Sequence, residues 1–435
     1  MKVKVALHNL GCKVNAYELE AMEQMLKNAG YEVVPFAPGA DIYIINTCTV
    51  TNIADRKSRQ MLHKAKKMNP EAIVVAAGCY VQAQKDAEQM DDAIDIVLGN
   101  NKKQDLIEIL EQYRKENGQK QEMIDLKEPV EYEELKLSST GEHTRAYLKV
   151  QDGCNQFCSY CIIPYVRGRV RSRKKEEVVE EVKRLVANGY QEFVLTGIHL
   201  SCYGVDCEEA LLSLIQAVQA VEGVKRIRLG SLEPRIITEE FVKTISSLPA
   251  ICPHFHLSLQ SGCTETLKRM NRKYTAQEYL DGCALLRKYF VHPALTTDVI
   301  VGFPGETEEE FAQSKSMIEE ADFYETHIFK YSRRKGTRAD RMENQIPETV
   351  KTERSHILLE MGKDHQRKYM EYYIGKEVEI LFEERVEIKG QSYWIGHTRE
   401  YLKVAFGGGE NLENCIRIGT ITGFLEEGIF SCTIR

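Results

Sequence analysis

The sequence predicts an α/β protein of three parts: a doubly wound parallel-sheet domain, an open barrel of six β/α units, and a small all-β domain at the carboxyl end. Three observations carry that prediction. Short apolar runs alternate with amphipathic helical patterns over about the first hundred residues. The alternation fades near Gln112, resumes at Arg145 and continues through six further units. Beyond Tyr373 the helical period gives way to short alternating runs separated by turns.

In chain order, Val3–Leu7, Asp41–Ile45 and Ala72–Ala77 read as buried strands, with helical patterns at Ala16–Asn28 and Ala54–Lys67 between them. Parallel strands need crossover helices, so residues 1–115 read as one doubly wound domain. Residues 116–144 read as a linker, charged and weakly apolar around Glu116-Asn117-Gly118 and Ser138-Ser139-Thr140-Gly141. Strands are expected at Ala146–Val150, Glu192–Thr196, Arg226–Gly230, Phe255–Leu259, Leu295–Val301 and Thr326–Phe329. A long helical pattern through His356–Tyr373 closes this second domain, residues 145–373. The last domain, 374–435, shows strand patterns at Glu377–Phe382, Leu402–Phe406 and Ile416–Ile421, with Gly407-Gly408-Gly409 among the turns.

A chain of 435 residues is too long for one ordinary core. Its 43% hydrophobic and 28% charged residues are globular values, and no apolar run is long enough to span a bilayer. The first apolar run is broken by Lys4 and soon meets His8 and Asn9, unlike an export signal, so a cytoplasmic address and no membrane partner are expected. Thirteen cysteines, an odd count, would stay reduced there and point to metal binding or catalysis rather than disulfides. The net charge of −7 argues against indiscriminate nucleic-acid binding, and DNA is not expected as a partner. No Walker A, GxGxxG or HExxH motif is present, so nucleotide hydrolysis and hydride transfer have no support.

The sharpest signal is Cys154-Asn155-Gln156-Phe157-Cys158-Ser159-Tyr160-Cys161, just after an expected strand. Three thiolates in one loop can converge on a metal centre. Iron–sulfur clusters normally take four cysteines, so three leave one iron open to a cofactor such as S-adenosylmethionine. A zinc ribbon would want a fourth ligand and a second CxxC pair, which is missing. A second group is dispersed. Cys12, Cys48 and Cys79 each follow the carboxyl end of an expected strand, and in a parallel sheet those ends share one edge. A second cluster is expected there, with buried free thiols as the alternative.

Gly11-Cys12-Lys13-Val14-Asn15, Asn46-Thr47-Cys48, Gly78-Cys79 and the Cys154–Cys161 loop, in this order, resemble the radical S-adenosylmethionine methylthiotransferase family over essentially the whole chain. The resemblance implies a flavodoxin-like first domain, an open (β/α)6 radical SAM barrel and a terminal TRAM-like β-barrel. It also implies S-adenosylmethionine and two 4Fe–4S clusters. In that family the barrel cluster cleaves S-adenosylmethionine and the amino-terminal cluster presents the sulfur. The Gly-Cys-Lys-Val-Asn wording most resembles the MtaB branch, which acts on C2 of N6-threonylcarbamoyladenosine beside the anticodon. The implied partners are the anticodon stem-loop of tRNA and a reductant such as flavodoxin or ferredoxin. Related branches act on another tRNA adenosine or on a protein side chain. An iron–sulfur protein that binds RNA or senses redox state without turnover is the alternative of another class.

Tyr160 occupies the position where the superfamily has an aromatic residue beside the adenine. Thr196 and Gly197, Ser258 and Gln260, and Ile300 end expected strands where S-adenosylmethionine would bind, although ordinary strand-end packing explains them as well. Arg167, Arg169, Arg171 and Arg173 follow the cysteine loop, and Lys330, Arg333, Arg334, Lys335, Arg338 and Arg341 form a second basic run. Both are expected to meet RNA phosphates, against the alternative of solvated faces. The terminal domain is a poorer candidate: from Lys376 onward it holds seven Lys or Arg against ten Glu.

Overall fold

The computed structural model describes residues 2–84, 91–116, 120–126, 128, 130–137 and 144–435. The first domain has strands β1 (Lys4–Asn9), β2 (Glu32–Val34), β3 (Ile42–Thr47), β4 (Ile73–Gly78), β5 (Ile96–Leu98) and β6 (Lys120–Glu122). They form one parallel sheet in the order β2-β1-β3-β4-β5-β6. Its helices are α1 (Lys13–Asn28), α2 (Asn52–Met68), α3 (Cys79–Gln82) and α4 (Leu106–Glu116). The central strand β3, Ile-Tyr-Ile-Ile-Asn-Thr, is buried throughout because helices cover both faces. Leu62 and Ala65 of α2 pack on one face; Met22 and Leu26 of α1 and Leu106, Ile109 and Leu110 of α4 pack on the other.

β1, β3 and β4 lie where the apolar runs place them. β2 and β5 are three-residue strands that no periodicity announces. β6 comes from the stretch read as linker, so the sheet continues past residue 115. Leu135 and Leu137 from the same stretch pack under Tyr17 and Ala21 of α1. Asn117, Gly118 and Ser138–Gly141, on which the linker reading leaned, lie outside the described residues.

The second domain has strands β7 (Arg145–Asp152), β8 (Arg171–Ser172), β9 (Glu192–Gly197), β10 (Arg226–Leu229), β11 (His254–His256), β12 (Ala294–Val301) and β13 (Glu325–Lys330). Its helices are α5 (Ile163–Val166), α6 (Lys175–Ala187), α7 (Leu211–Gln219), α8 (Glu239–Ser246), α9 (Thr264–Arg269), α10 (Ala276–Tyr289), α11 (Glu308–Ala321) and α12 (Glu348–Glu371). Six parallel strands run β7-β9-β10-β11-β12-β13, with the β10–β11 seam made by isolated bridges such as Leu232 to Leu257. The barrel is open. Among the described strands β13 pairs with β12 alone, and the short antiparallel β8 flanks β7. Capping boxes start α10 (Thr275 with Glu278) and α11 (Thr307 with Glu310), fixing where each strand-to-helix loop ends. Outward residues such as Leu148, Leu195, Phe255 and Val299 join the helices in one core, so the alternate residues face the lumen.

The last domain is a closed barrel, β14-β15-β16-β18-β17, of strands β14 (Glu377–Ile388), β15 (Gln391–Thr398), β16 (Lys403–Phe406), β17 (Ile416–Glu426) and β18 (Ile429–Ile434). Among the described residues no helix is long and apolar enough to cross a membrane.

The first two domains meet through a buried ion network. Glu18 of α1 accepts from Lys103, Lys149 and Arg167, and Asp152 at the end of β7 pairs with Lys149, Arg167 and Arg171. Burial alone would raise the Glu18 pKa, but Arg167, Lys103 and Lys149 overcome it and hold this carboxyl well below the usual range. Replacing Glu18 by Gln strands three buried cations, so urea denaturation should show a loss of about 3–5 kcal/mol near neutral pH. A pKa depressed on folding stabilises above the unfolded value, 4.5, and that contribution disappears as pH falls through the folded value. The gap between wild type and Glu18→Gln should therefore narrow only on the acid side of 4.5; equal urea midpoints at neutral pH contradict this account.

Candidate active site

The two cysteine groups are set by strand ends. β1, β3 and β4 are neighbours in register, with Asn9 beside Asn46 and Thr47 beside Gly78. Cys12 caps α1, Cys48 follows β3 directly, and Cys79 opens α3, so the three share one sheet edge. Gly78 has φ +93°, and a Cβ there would lie 2.5 Å from Asn46 Oδ1, so only glycine can turn the chain into Cys79. Gly153, φ +70°, plays the same part before Cys154, where a Cβ would overlap the Arg169 carbonyl.

Cys154, Cys158 and Cys161 lie in the loop between β7 and α5. The Cys161 amide donates to the Cys158 carbonyl at 3.0 Å, and the Cys154 amide donates to the Gly168 carbonyl at 3.0 Å. The Ser159 amide donates to the Met270 carbonyl at 2.9 Å, and Asn271 Nδ2 donates to the Phe157 carbonyl at 2.9 Å, pinning the loop from the β11 side. Donors already point at sulfur. Arg272 Nη1 lies 3.3 Å from Cys158 Sγ and the Gln156 amide 3.5 Å from Cys154 Sγ. In the first domain, Arg167 Nε lies 3.2 Å from Cys79 Sγ and Asn100 Nδ2 lies 3.6 Å from it.

Both groups suit iron–sulfur clusters better than single ions. Among the described residues only His256, Asp298 and His327 bring three possible ligand atoms within 4.8 Å of one another. One zinc ion would draw its thiolates to about 3.8 Å apart, given Zn–S of about 2.3 Å, whereas a cluster spreads them. Burial pushes the thiols of Cys154 and Cys161 up to about 12 and Cys48 to about 11, and raises Cys12. These sulfurs become thiolates only when metal displaces the proton. Charge balance agrees. Lys103, Lys149, Arg167 and Arg171 make ion pairs with only Glu18 and Asp152, and an anionic cluster beside Arg167 supplies the missing negative charge.

The residues expected to surround S-adenosylmethionine all sit at the barrel mouth. Tyr160 packs edge-on against Phe303, ring centroids 6.3 Å apart, with Ile300 beside them. Thr196 is buried and Gly197 follows it at the end of β9. The Ser258 hydroxyl pairs with Ser231 at 2.8 Å. Gln260 adopts φ +70° and bridges Asp298 and Ile300 through its backbone.

The arginine run requires correction. Arg167, Arg171 and Arg173 are buried. Arg167 is held by Cys79, Glu18, Asp152 and Asn15; Arg171 reaches the carbonyls of Arg167 and Arg169; Arg173 pairs with Glu181 and Glu134. None of the three can meet a phosphate. Arg169 alone is exposed, its guanidinium 4.8 Å from the Phe157 ring centre. In the second run Arg334 is buried against Asp55, while Lys335, Arg338 and Arg341 are exposed. Sequence reasoning missed Arg272, Asn100, Glu18 and Lys103, whose partners are far away in the chain. Asn15 did carry a signal, as the last residue of Gly-Cys-Lys-Val-Asn.

Residues 148–318 match the Radical SAM superfamily, and residues 4–99 match the Uncharacterized protein family UPF0004. The chain is 43% identical to the threonylcarbamoyladenosine tRNA methylthiotransferase MtaB of Bacillus subtilis (strain 168), over 94% of this chain and 91% of that one. The chain belongs to the radical S-adenosylmethionine methylthiotransferase family. The Thermotoga maritima MtaB is 37% identical over 98% of this chain and 96% of its own. A tRNA-2-methylthio-N(6)-dimethylallyladenosine synthase of Moorella thermoacetica is 36% identical over 92% of each. The fold is shared with the radical S-adenosylmethionine methyltransferase TsrM of Kitasatospora setae, at TM-score 0.55, 16% identity, 76% of this chain and 72% of that one. The cofactors of a radical SAM methylthiotransferase are S-adenosylmethionine and two 4Fe–4S clusters. Anaerobically reconstituted enzyme should hold about eight irons, and Cys158→Ala and Cys48→Ala about four each. A total near four that Cys48→Ala leaves unchanged would remove the second site.

Proposed function

We propose that this methylthiotransferase acts on tRNA, adding a methylthio group at C2 of N6-threonylcarbamoyladenosine beside the anticodon and consuming two S-adenosylmethionine molecules per turnover. The observation that carries the reading is the pairing of the two cysteine groups across one residue. Arg167 leaves the barrel's cysteine loop and reaches Cys79 in the other domain. The source of the radical and the source of sulfur therefore face one substrate chamber. The MtaB names of the relatives support the choice of nucleoside.

Carbon 2 of adenine is not activated toward polar attack; the clusters and S-adenosylmethionine, when bound, supply radical chemistry and sulfur, and the protein positions the partners. Cys154, Cys158 and Cys161 hold the barrel cluster, and Cys12, Cys48 and Cys79 hold the second. Arg272 and Arg167 each donate to a ligating sulfur and offset its charge, a contact that tunes a cluster's potential. Tyr160, Thr196, Gly197, Ser258, Gln260 and Ile300 line the place for S-adenosylmethionine. No side chain serves as general base. Exposed Arg169, Lys335, Arg338 and Arg341 offer RNA phosphates a positive rim at the mouth, replacing the buried arginines in that role.

Cys158→Ala should abolish 5′-deoxyadenosine formation. Cys79→Ala should leave it measurable but end methylthiolation, read by mass spectrometry of tRNA nucleosides. Each variant must keep the other cluster's absorbance, since losing a metal site can unfold the domain around it. Methylthio product from Cys79→Ala would overturn the division of labour. Product on dimethylallyladenosine in place of the threonylcarbamoyl nucleoside would overturn the substrate.

A further inference from the structure

The barrel lumen holds a polar wall that the cluster chemistry does not use. Phe255 and Leu257 on the β11 side, and Val299 and Val301 of β12, point outward into the helical core. The alternation turns His254, His256 and Asp298 inward, and the register sets His327 of β13 beside Asp298. His256 Nε2 lies 3.3 Å from Asp298 Oδ2, and its Nδ1 lies 2.9 Å from Thr296 Oγ1. The His327 ring stacks on His256 with centroids 5.8 Å apart. Both nitrogens of His256 are engaged with protein, which disfavours a metal ion despite the close approach of the three side chains. The second oxygen of Asp298 and the exposed His327 still face the lumen.

Lys13 enters the same space from the other domain. It is the first residue of α1, directly after Cys12, and its side chain is accessible to solvent. It lies close enough to Arg145 and Arg228, on inward positions of β7 and β10, to feel their charge, and close enough to His254 to act on that ring. Those two arginines have carboxylates of their own, Glu383 and Glu192. Among the described residues Lys13 has no ion-pair partner. An accessible, uncompensated ammonium beside two compensated guanidinium groups calls for an anion from outside.

Resting on the threonylcarbamoyl reading above, we propose that Lys13 and the wall of His256, Asp298 and His327 form the pocket for the amino-acid substituent on N6. Lys13 pairs with its carboxylate, and Asp298 and His327 hydrogen-bond its hydroxyl and carbamoyl groups. N6 and C2 flank N1 of the adenine ring, so a substituent curled over N1 lies beside C2. Anchoring it next to Cys12 brings C2 to the sulfur-bearing side of the chamber. An aliphatic N6 substituent would leave Lys13 and Asp298 unpaired, so the same pocket selects against it.

The test uses reconstituted enzyme and anticodon stem-loop RNA carrying the threonylcarbamoyl group, its methyl ester, or unmodified adenosine. Affinity is read by fluorescence anisotropy at one ionic strength. Wild type should bind the acid about tenfold more tightly than the ester, the size of a charge-assisted contact. Lys13→Gln, with iron content unchanged, should bind the two alike, and Lys13→Arg should restore the preference. His327→Leu should weaken acid and ester together by about threefold and keep their ratio, as loss of a neutral hydrogen bond does. Equal affinity of wild type for acid and ester overturns the ammonium–carboxylate pair without any variant. An unchanged ratio in Lys13→Gln overturns the assignment to Lys13. A wild type that does not distinguish threonylcarbamoyl from unmodified RNA, and methylthiolates neither, overturns the substrate reading instead.

Discussion

The Arg167 guanidinium is the constraint on which the arrangement of the two domains rests. It is completely buried, and its nitrogens are divided among a cysteine and an asparagine of the sheet domain, Glu18 of α1, and Asp152 of the barrel. A buried cation tolerates such a position only if every partner stays in place. The sheet edge and the barrel mouth are therefore locked together at the point where their cysteines face each other. α1 follows as a consequence: its amino end carries Cys12, its next turn carries Glu18, and Tyr17 reaches toward Glu181 of α6.

This lock also explains why the network is cationic in excess. Charge in a protein interior must be balanced locally, and the carboxylates in contact do not suffice for four cations. The balance closes once the sulfurs of the sheet edge are counted as thiolates. The folded arrangement and the loaded cluster thus stabilise one another, each supplying the charge the other lacks.

Much of this was legible in sequence, and the failures are instructive. The cysteines at the ends of β1, β3 and β4 could be placed together because strand period and parallel topology are local and regular properties. β5 and β6 could not: three residues give no periodicity, and Lys120-Gln121-Glu122 carries no apolar signal at all. The arginines misled for a different reason. Alternate basic residues look like a solvated or RNA-facing edge when read along the chain. Burial is decided by carboxylates elsewhere, Glu18 lying 149 residues before Arg167 and Glu134 lying 39 before Arg173. No window of sequence contains both partners.

The same logic accounts for the acidic terminal barrel, a puzzling composition for a domain attached to an RNA-modifying fold. Glu383 pairs with Arg145, and Glu379 pairs with Arg226, both at the lower rim of the radical SAM barrel. Tyr401 inserts between them, stacked on His254 at 5.1 Å and under the guanidinium groups of Arg145 and Arg228. Arg228 donates in turn to the carbonyls of Thr398 and Arg399. The glutamates are thus spent on docking rather than left as a repulsive face toward phosphate. By closing the floor of the lumen, the terminal domain leaves the mouth as the route by which a substrate reaches Lys13 and the two cysteine groups, and there the exposed cations lie.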